Sequence, residues 1–200
     1  MIFIGDVHGK IDRYLEKLGD KPSLQIGDMG LGFEGVHLPS LASQHRFIRG
    51  NHDNPQTCRR HQNYAGDYGY DFAPKLFYLG GAYSVDKQWR IPGVSWWEQE
   101  EMSTRALRSA LKTYSEARPE IVATHDCPES VSRYLLGTIL IGFRPEKLVR
   151  TRTGQALQAM LEIHRPKVWV FGHYHIDKDF EMDGTRFICL NELSTIDLGS

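Results

Sequence analysis

Ile2-Phe3-Ile4-Gly5-Asp6-Val7-His8-Gly9 opens the chain with a short apolar run that stops at a glycine and gives way to an aspartate and a histidine. The arrangement returns further along. Leu24-Gln25-Ile26 precedes Gly27-Asp28, and Phe47-Ile48 precedes Gly50-Asn51-His52-Asp53. Ile121-Val122-Ala123 precedes Thr124-His125, and Val168-Trp169-Val170-Phe171 precedes Gly172-His173-Tyr174-His175. Short β-branched and aromatic runs bounded by glycine read as buried strands. Polar side chains just past strand ends are where open α/β sheets place ligand sites. A single Gly-Asp pair is ordinarily a turn. The series of clusters predicts one site assembled from several strand ends.

Helical segments separate these runs. Ile11, Leu15 and Leu18 share one face after the first cluster. Leu107, Ala110, Leu111 and Tyr114 share another, with Ser103 or Thr104 as N-cap and Pro119 as the stop. Leu157, Met160, Leu161 and His164 form a third stripe, ended by Pro166. No helical signal appears between residues 76 and 94. There, residues 76–79, 82–85 and 89–91 read as successive short strands, which predicts antiparallel pairing. Residues 186–190 read as one more strand. The sum is a mixed α/β domain with helices outside and at least one sheet with antiparallel parts. No repeat, low-complexity tract or linker divides it, so residues 1–200 are expected to form one domain.

Length and composition agree with this. A chain of 200 residues can bury a sizeable core, and 40% apolar with 24% charged residues is ordinary globular usage. A formal net charge of -1 provides no global basic field for nucleic acid or membrane. Three widely spaced cysteines, Cys58, Cys127 and Cys189, argue against a disulfide framework and fit a reducing compartment. The first residues lack the basic start and long apolar run of a signal peptide, and no apolar run is long enough to span a bilayer. The expectation is a soluble cytoplasmic protein.

The clusters carry a particular chemistry. Asp6, His8, Asp28, Asn51, His125, His173 and His175 offer carboxylate oxygen, amide oxygen and imidazole nitrogen. That mixture suits borderline divalent or trivalent ions such as Mn, Fe or Zn, and the absence of a cysteine ligand pattern argues against a closed structural zinc site. The set is larger than one catalytic ion with open positions needs. Two ions sharing a bridging carboxylate would use it well. Paired metals clamp a phosphate, activate water near neutral pH and stabilise in-line displacement. Asp6 and His8, and likewise His173 and His175, are spaced to put both donors on one side of an extended segment. His52 follows Asn51, so alternation turns it away from the ion and toward a leaving group, where an imidazole can donate a proton.

At these residues the chain resembles the calcineurin-like metallophosphoesterases. Their ordered blocks stand here as Gly5-Asp6-Val7-His8-Gly9, Gly27-Asp28, Gly50-Asn51-His52-Asp53, Thr124-His125 and Gly172-His173-Tyr174-His175. The resemblance implies a four-layer α/β/β/α sandwich with a dinuclear centre at strand C-terminal ends. It implies one ion held by Asp6, His8, Asp28 and His175, and another by Asp28, Asn51, His125 and His173. It further implies a metal-bound hydroxide as nucleophile and His52 as general acid. One departure stands out. Protein phosphatases of the family continue the second block with an Asp and an Arg; here Leu31 and Gly32 occupy those places. That tilts the expectation away from phosphoprotein and leaves Asp53 or Glu34 as candidates to orient His52.

Substrate-side residues are less marked. Arg90, after the segment from Tyr83, is a candidate phosphate contact, with Trp96 and Trp97 either shaping a pocket or capping the core. Glu98, Glu100 and Glu101 read as a solvated helix start. Arg150 and Arg152, in a basic stretch with Arg133, Arg144 and Lys147, are candidates for an arginine on the phosphate, set against a solvated surface. Cys127 reads as a small buried residue, and His37, His45, His61 and His164 as surface or packing residues. The expected activity is metal-dependent hydrolysis of a phosphate ester, whether small molecule, nucleotide or phosphoprotein. A nuclease is the alternative, and near-neutral charge disfavours long nucleic acid. A non-catalytic scaffold of the same fold is a third reading.

Overall fold

The computed structural model describes residues 1–139 and 149–199. Its strands are β1 (Ile2–Ile4), β2 (Ser23–Ile26), β3 (His45–Ile48), β4 (Tyr68–Asp71), β5 (Leu76–Leu79), β6 (Ile121–Thr124), β7 (Val168–Phe171), β8 (Lys178–Met182), β9 (Thr185–Cys189) and β10 (Thr195–Asp197). Its helices are α1 (Ile11–Leu15), α2 (Pro55–Arg60), α3 (Thr104–Ala117), α4 (Glu129–Ile139) and α5 (Arg152–Ile163).

Strand alternation sorts the apolar side chains into layers. Phe3, Leu24, Ile26 and Ile48 meet Leu76, Tyr78, Ala123, Val170 and Ile188 in a central core. The opposite faces go outward. Ile4 and Phe47 pack with Tyr14 of α1 and Cys58 of α2. Phe77, Val122, Trp169, Phe171 and Phe187 pack with Leu107 and Tyr114 of α3, Val131 and Leu135 of α4, and Leu157 and Met160 of α5. The result is two sheets face to face, each covered outside by helices.

One sheet runs β10-β1-β2-β3 and the other β4-β5-β6-β7-β9-β8. β1, β2 and β3 are parallel, as are β5, β6, β7 and β9. The antiparallel members β10, β4 and β8 lie at sheet edges. Both sheets are therefore mixed, and the carboxyl ends of their parallel strands emerge along a common border.

Capping follows the sequence. Ser103 accepts from the Ala106 amide at the start of α3, and the helix ends at Ala117 before left-handed Arg118. Other expectations fail. Residues 82–85 and 89–91 are not strands: the chain leaves the sheet after β5 and forms a short 3-10 turn at Lys87–Trp89. Their β-forming side chains find no partner strand, and Val85 and Trp89 stand exposed. The antiparallel partner of β5 is β4, ahead of it in sequence. Glu100 and Glu101 are not a solvated helix start but buried acceptors. Arg144 and Lys147 lie outside the described residues. Among the described residues, no helix is long and apolar enough to cross a membrane.

Candidate metal centre

The donors sit in loops just past β1, β2, β3, β6 and β7. The backbone bends sharply to aim them. His8, Asp28, His173 and His175 have φ of 48°, 55°, 69° and 52°, a region sparsely used by residues with a Cβ. So the Asp6/His8 and His173/His175 pairs converge through tight turns, not through the strand alternation that the spacing predicts. Neighbouring glycines make room. A Cβ on Gly50 would lie 2.0 Å from Asp28 Oδ1 and 2.6 Å from His125 Nε2. One on Gly27, at φ 106°, would lie 2.3 Å from His125 Nδ1.

Two groups of donors result. Asp6, His8, Asp28 and His175 form one and Asp28, His125 and His173 the other, with donor atoms in each lying within 4.8 Å of one another. In the first, His175 Nε2 is 3.2 Å from Asp6 Oδ2, and His8 Nε2 is 3.8 Å from both Asp6 Oδ2 and Asp28 Oδ2. In the second, His125 Nε2 lies 3.3 Å from Asp28 Oδ1 and 3.0 Å from Asn51 Oδ1. The His125 Nδ1–H donates to the Ile26 carbonyl at 3.0 Å, which leaves Nε2 as the ring nitrogen facing the group, a ligand atom once a cation displaces its proton. Asp28 belongs to both groups.

The electrostatics call for a cation. Asp6 and Asp28 are buried together. Asp28 Oδ1 accepts from the His52 amide at 2.7 Å, but Asp28 Oδ2 is buried without a hydrogen-bond partner among the described residues. An orphaned carboxylate oxygen is costly unless something positive meets it. Burial alone would raise the Asp28 carboxyl, yet His125, His52 and His8 hold it well below the usual carboxylate range. Burial opposes charge on His125, but Asp28 and Asp6 override it and push the ring up to about 10. Burial, followed by His125, drives His173 down to about 3, keeping it neutral as a ligand must be. The residues present thus fit a pair of hard-to-borderline cations.

Supporting contacts hold the cluster. Asn51 Nδ2 donates to Ser84 Oγ at 3.1 Å, and Ser84 Oγ and its amide donate to Glu100 at 2.5 and 2.9 Å. This buried chain fixes which way the Asn51 oxygen points. Asp53 is turned from His52 and accepts from the amides of Gly50, Met29, Gly30 and Leu31 at 2.8–3.2 Å. It pins the loop after β2 to the loop after β3. Glu34 is exposed. Neither therefore orients His52. The side-chain partner of His52 is Arg90, whose guanidinium donates to Nε2 and also pairs with Asp86 at 2.8 Å. Burial pushes the His52 imidazole below its ordinary value, Asp28 opposes this, and Arg90 adds to it. The ring stacks on Phe33 at 6.2 Å and meets His8 edge-on at 4.9 Å.

The structure brings His52 and Arg90 to the donor cluster but not the other arginines. Arg150 pairs with Glu129 at 3.0 Å and Arg152 with Glu101 at 3.5 Å. Trp97 is buried and packs edge-on against Phe33, the ring that stacks on His52. Cys58, Cys127 and Cys189 are all free and buried. Ser84 and Glu100 carry no local motif, and Asp53, although it stands in the Gly50-Asn51-His52-Asp53 block, has there no sign of its clamping role. Their roles depend on segments far apart in sequence.

With this geometry in view, the model of the calcineurin-like phosphoesterases matches residues 1–177. The chain belongs to that family, a family of metal-dependent phosphoesterases that use divalent ions. Two solved structures are similar at low identity. A conserved protein of Streptococcus pneumoniae, described as a predicted phosphoesterase, is 14% identical with a TM-score of 0.38, covering 97% of this chain and 74% of that one. The phosphopantetheinyl hydrolase of Mycobacterium tuberculosis is 12% identical with a TM-score of 0.46, covering 96% and 89% respectively. Among curated proteins none matches significantly.

Proposed function

We propose that this chain hydrolyses phosphate esters at a dinuclear centre. One ion would be held by Asp6, His8, Asp28 and His175, and the other by Asp28, Asn51, His125 and His173. The observation that carries the reading is Asp28: a single buried carboxylate common to both donor groups, with one oxygen left unpartnered. Mn, Fe or Zn suit this donor set. Bound there, such ions supply positive charge to phosphoryl oxygens and acidify water.

The remaining roles fall to the chain itself. Arg90 stands ready to grip a phosphate oxygen, because its fork is positioned and its carboxylate partner Asp86 is half-exposed. While Arg90 rests on His52 Nε2, that nitrogen accepts and cannot donate. When Arg90 turns to the phosphate, Nε2 is released and the nearby dianion favours its protonation. His52 Nε2–H then donates to the departing alkoxide. A small-molecule ester fits the departure at Leu31 and Gly32 better than a phosphoprotein.

The test has two parts. Metal analysis of the purified protein should find about two ions per chain, and Asp28→Asn should reduce that number and lower activity by about 10²-fold or more, at least the loss that follows removal of a ligand's outer partners. Rates on p-nitrophenyl phosphate and bis-p-nitrophenyl phosphate then divide monoesterase from diesterase. His52→Ala should slow alkyl phosphates by about 10²–10⁴-fold, and p-nitrophenyl esters far less, because nitrophenolate needs no proton to leave. Equal losses on both substrates would remove the general-acid role. No metal-dependent turnover of any ester would remove the hydrolase reading.

A further inference from the structure

A cavity of about 340 Å³ opens beside the donor cluster, a size typical of small-ligand sites. Two links tie it to the metal centre. His173, a donor of the second group, forms part of its wall. Residues 83–85 alternate between the two: Ser84 points inward to Asn51, while Tyr83 and Val85 line the cavity.

The chemistry of the lining is one-sided. Val85, Leu136 and Val149 make it apolar, and Tyr83 and Tyr174 add aromatic surface. The carboxyls among the described lining residues are Asp126 and Glu129; no lysine or arginine is among them. Asp126 Oδ1 accepts from the Cys127 amide at 2.8 Å and from the Tyr174 hydroxyl at 3.0 Å. Asp126 Oδ2 makes no hydrogen bond among the described residues and adds acceptor capacity. Glu129 is held at the rim by Arg150.

Resting on the hydrolase reading, we infer that this cavity receives the alcohol portion of the ester, and that this alcohol has an apolar body and no negative charge. Hydroxyl, amide or ammonium hydrogens would meet acceptors there. A carboxylate or a second phosphate on the leaving group would lose its hydration against apolar walls with the Asp126 carboxyl beside it and no cation among the described lining residues, a placement that is strongly penalised.

The test compares three esters on the Mn²⁺-loaded protein: p-nitrophenyl phosphate, 4-methylumbelliferyl phosphate and 3-carboxyumbelliferyl phosphate. The neutral umbelliferyl ester should exceed its carboxylated counterpart in kcat/KM by about tenfold or more, mostly through KM. Val85→Lys and Val149→Lys place a cation at the cavity mouth. Both side chains are exposed, so the substitutions spare the core. Each should reduce the neutral-to-anionic ratio by about threefold or more, on the scale of a surface charge interaction. Turnover of all three esters at similar kcat/KM, or a ratio that neither lysine moves, overturns the cavity assignment and leaves the hydrolase reading intact. Absence of turnover on all three strikes the hydrolase reading itself, and the cavity assignment with it.

Discussion

A single hydroxyl shows how finely this centre is set. Ser84 Oγ lies between the Asn51 amide and the Glu100 carboxylate, all three buried. An asparagine amide is ambiguous about which end it presents; a fixed acceptor on its nitrogen removes the ambiguity and leaves Oδ1 toward His125. Ser84→Ala should therefore weaken metal affinity at the Asn51 side by about tenfold, the usual effect of losing an outer partner, while leaving the other ion in place. Calorimetric titration of the metal-free protein with Mn²⁺ measures this directly: two classes of site should separate, with the weaker one shifted. Unchanged titration would show that Asn51 does not depend on the serine. The same reasoning explains what was legible in the sequence at this scale. Asp6, His8, Asp28, Asn51, His125, His173 and His175 could be read because each belongs to a cluster that opens on a small residue just past a strand, and those are local demands. Ser84, Glu100 and the contact of Arg90 with His52 could not, since nothing near them in sequence distinguishes them from an ordinary polar loop.

Elements were legible where both of their faces are buried. β1, β2, β6 and β7 are short apolar runs between sheet and helix, and composition betrays them. β8, with the sequence Lys-Asp-Phe-Glu-Met, is mostly charged because it is an edge strand paired only with β9. Residues 82–85 misled in the opposite sense: their β propensity was real, but no neighbouring strand was there to take them. That segment is anchored by a side chain instead: the Ser84 amide and hydroxyl donate to the Glu100 carboxylate, and Glu100 is held in turn by a neighbouring network. The fully buried Arg49, just past β3, donates to Asp67 at 2.7 Å and to the Glu100 carbonyl at 2.6 Å. Arg59 and Tyr64 complete the Asp67 environment at 2.8 Å each. Burial alone would raise the Asp67 carboxyl, but Arg49, then Arg59 and Tyr64, hold it below the usual carboxylate value. The depressed folded value fixes the sign. The stabilisation is fully present above the unfolded carboxylate value near 3.9 and fades as pH falls through the lower folded one. Asp67→Asn should cost about 2 kcal/mol at pH 7, the scale of hydrogen bonds to a charged group, and the difference from the parent should shrink below about pH 4. Urea unfolding across that range checks it; a difference constant with pH would contradict the assignment.

For the whole molecule, the position of the donors matters more than their number. Asp6, His8, Asp28 and Asn51 follow strands of one sheet; His125, His173 and His175 follow strands of the other. Each proposed ion would take ligands from both. Apart from these donors, the sheets are joined by the apolar core between them and, at the β3 side, by the directional contacts of Arg46 with Asp71 and of Arg49 with Asp67 and Glu100. Ions at this border would then be fasteners as well as reagents, adding directional links between the two sheets at the donor side. Thermodynamic linkage gives the consequence: an ion at one hundred times its dissociation constant adds about 2.7 kcal/mol to folding. Melting curves should rise with Mn²⁺ concentration and fall on chelation, even for His52→Ala, in which catalysis is impaired and the ligands are intact. In such a molecule, stripping the metal would loosen the sandwich before it unfolded, and heat tolerance would report occupancy of the centre without any substrate being known.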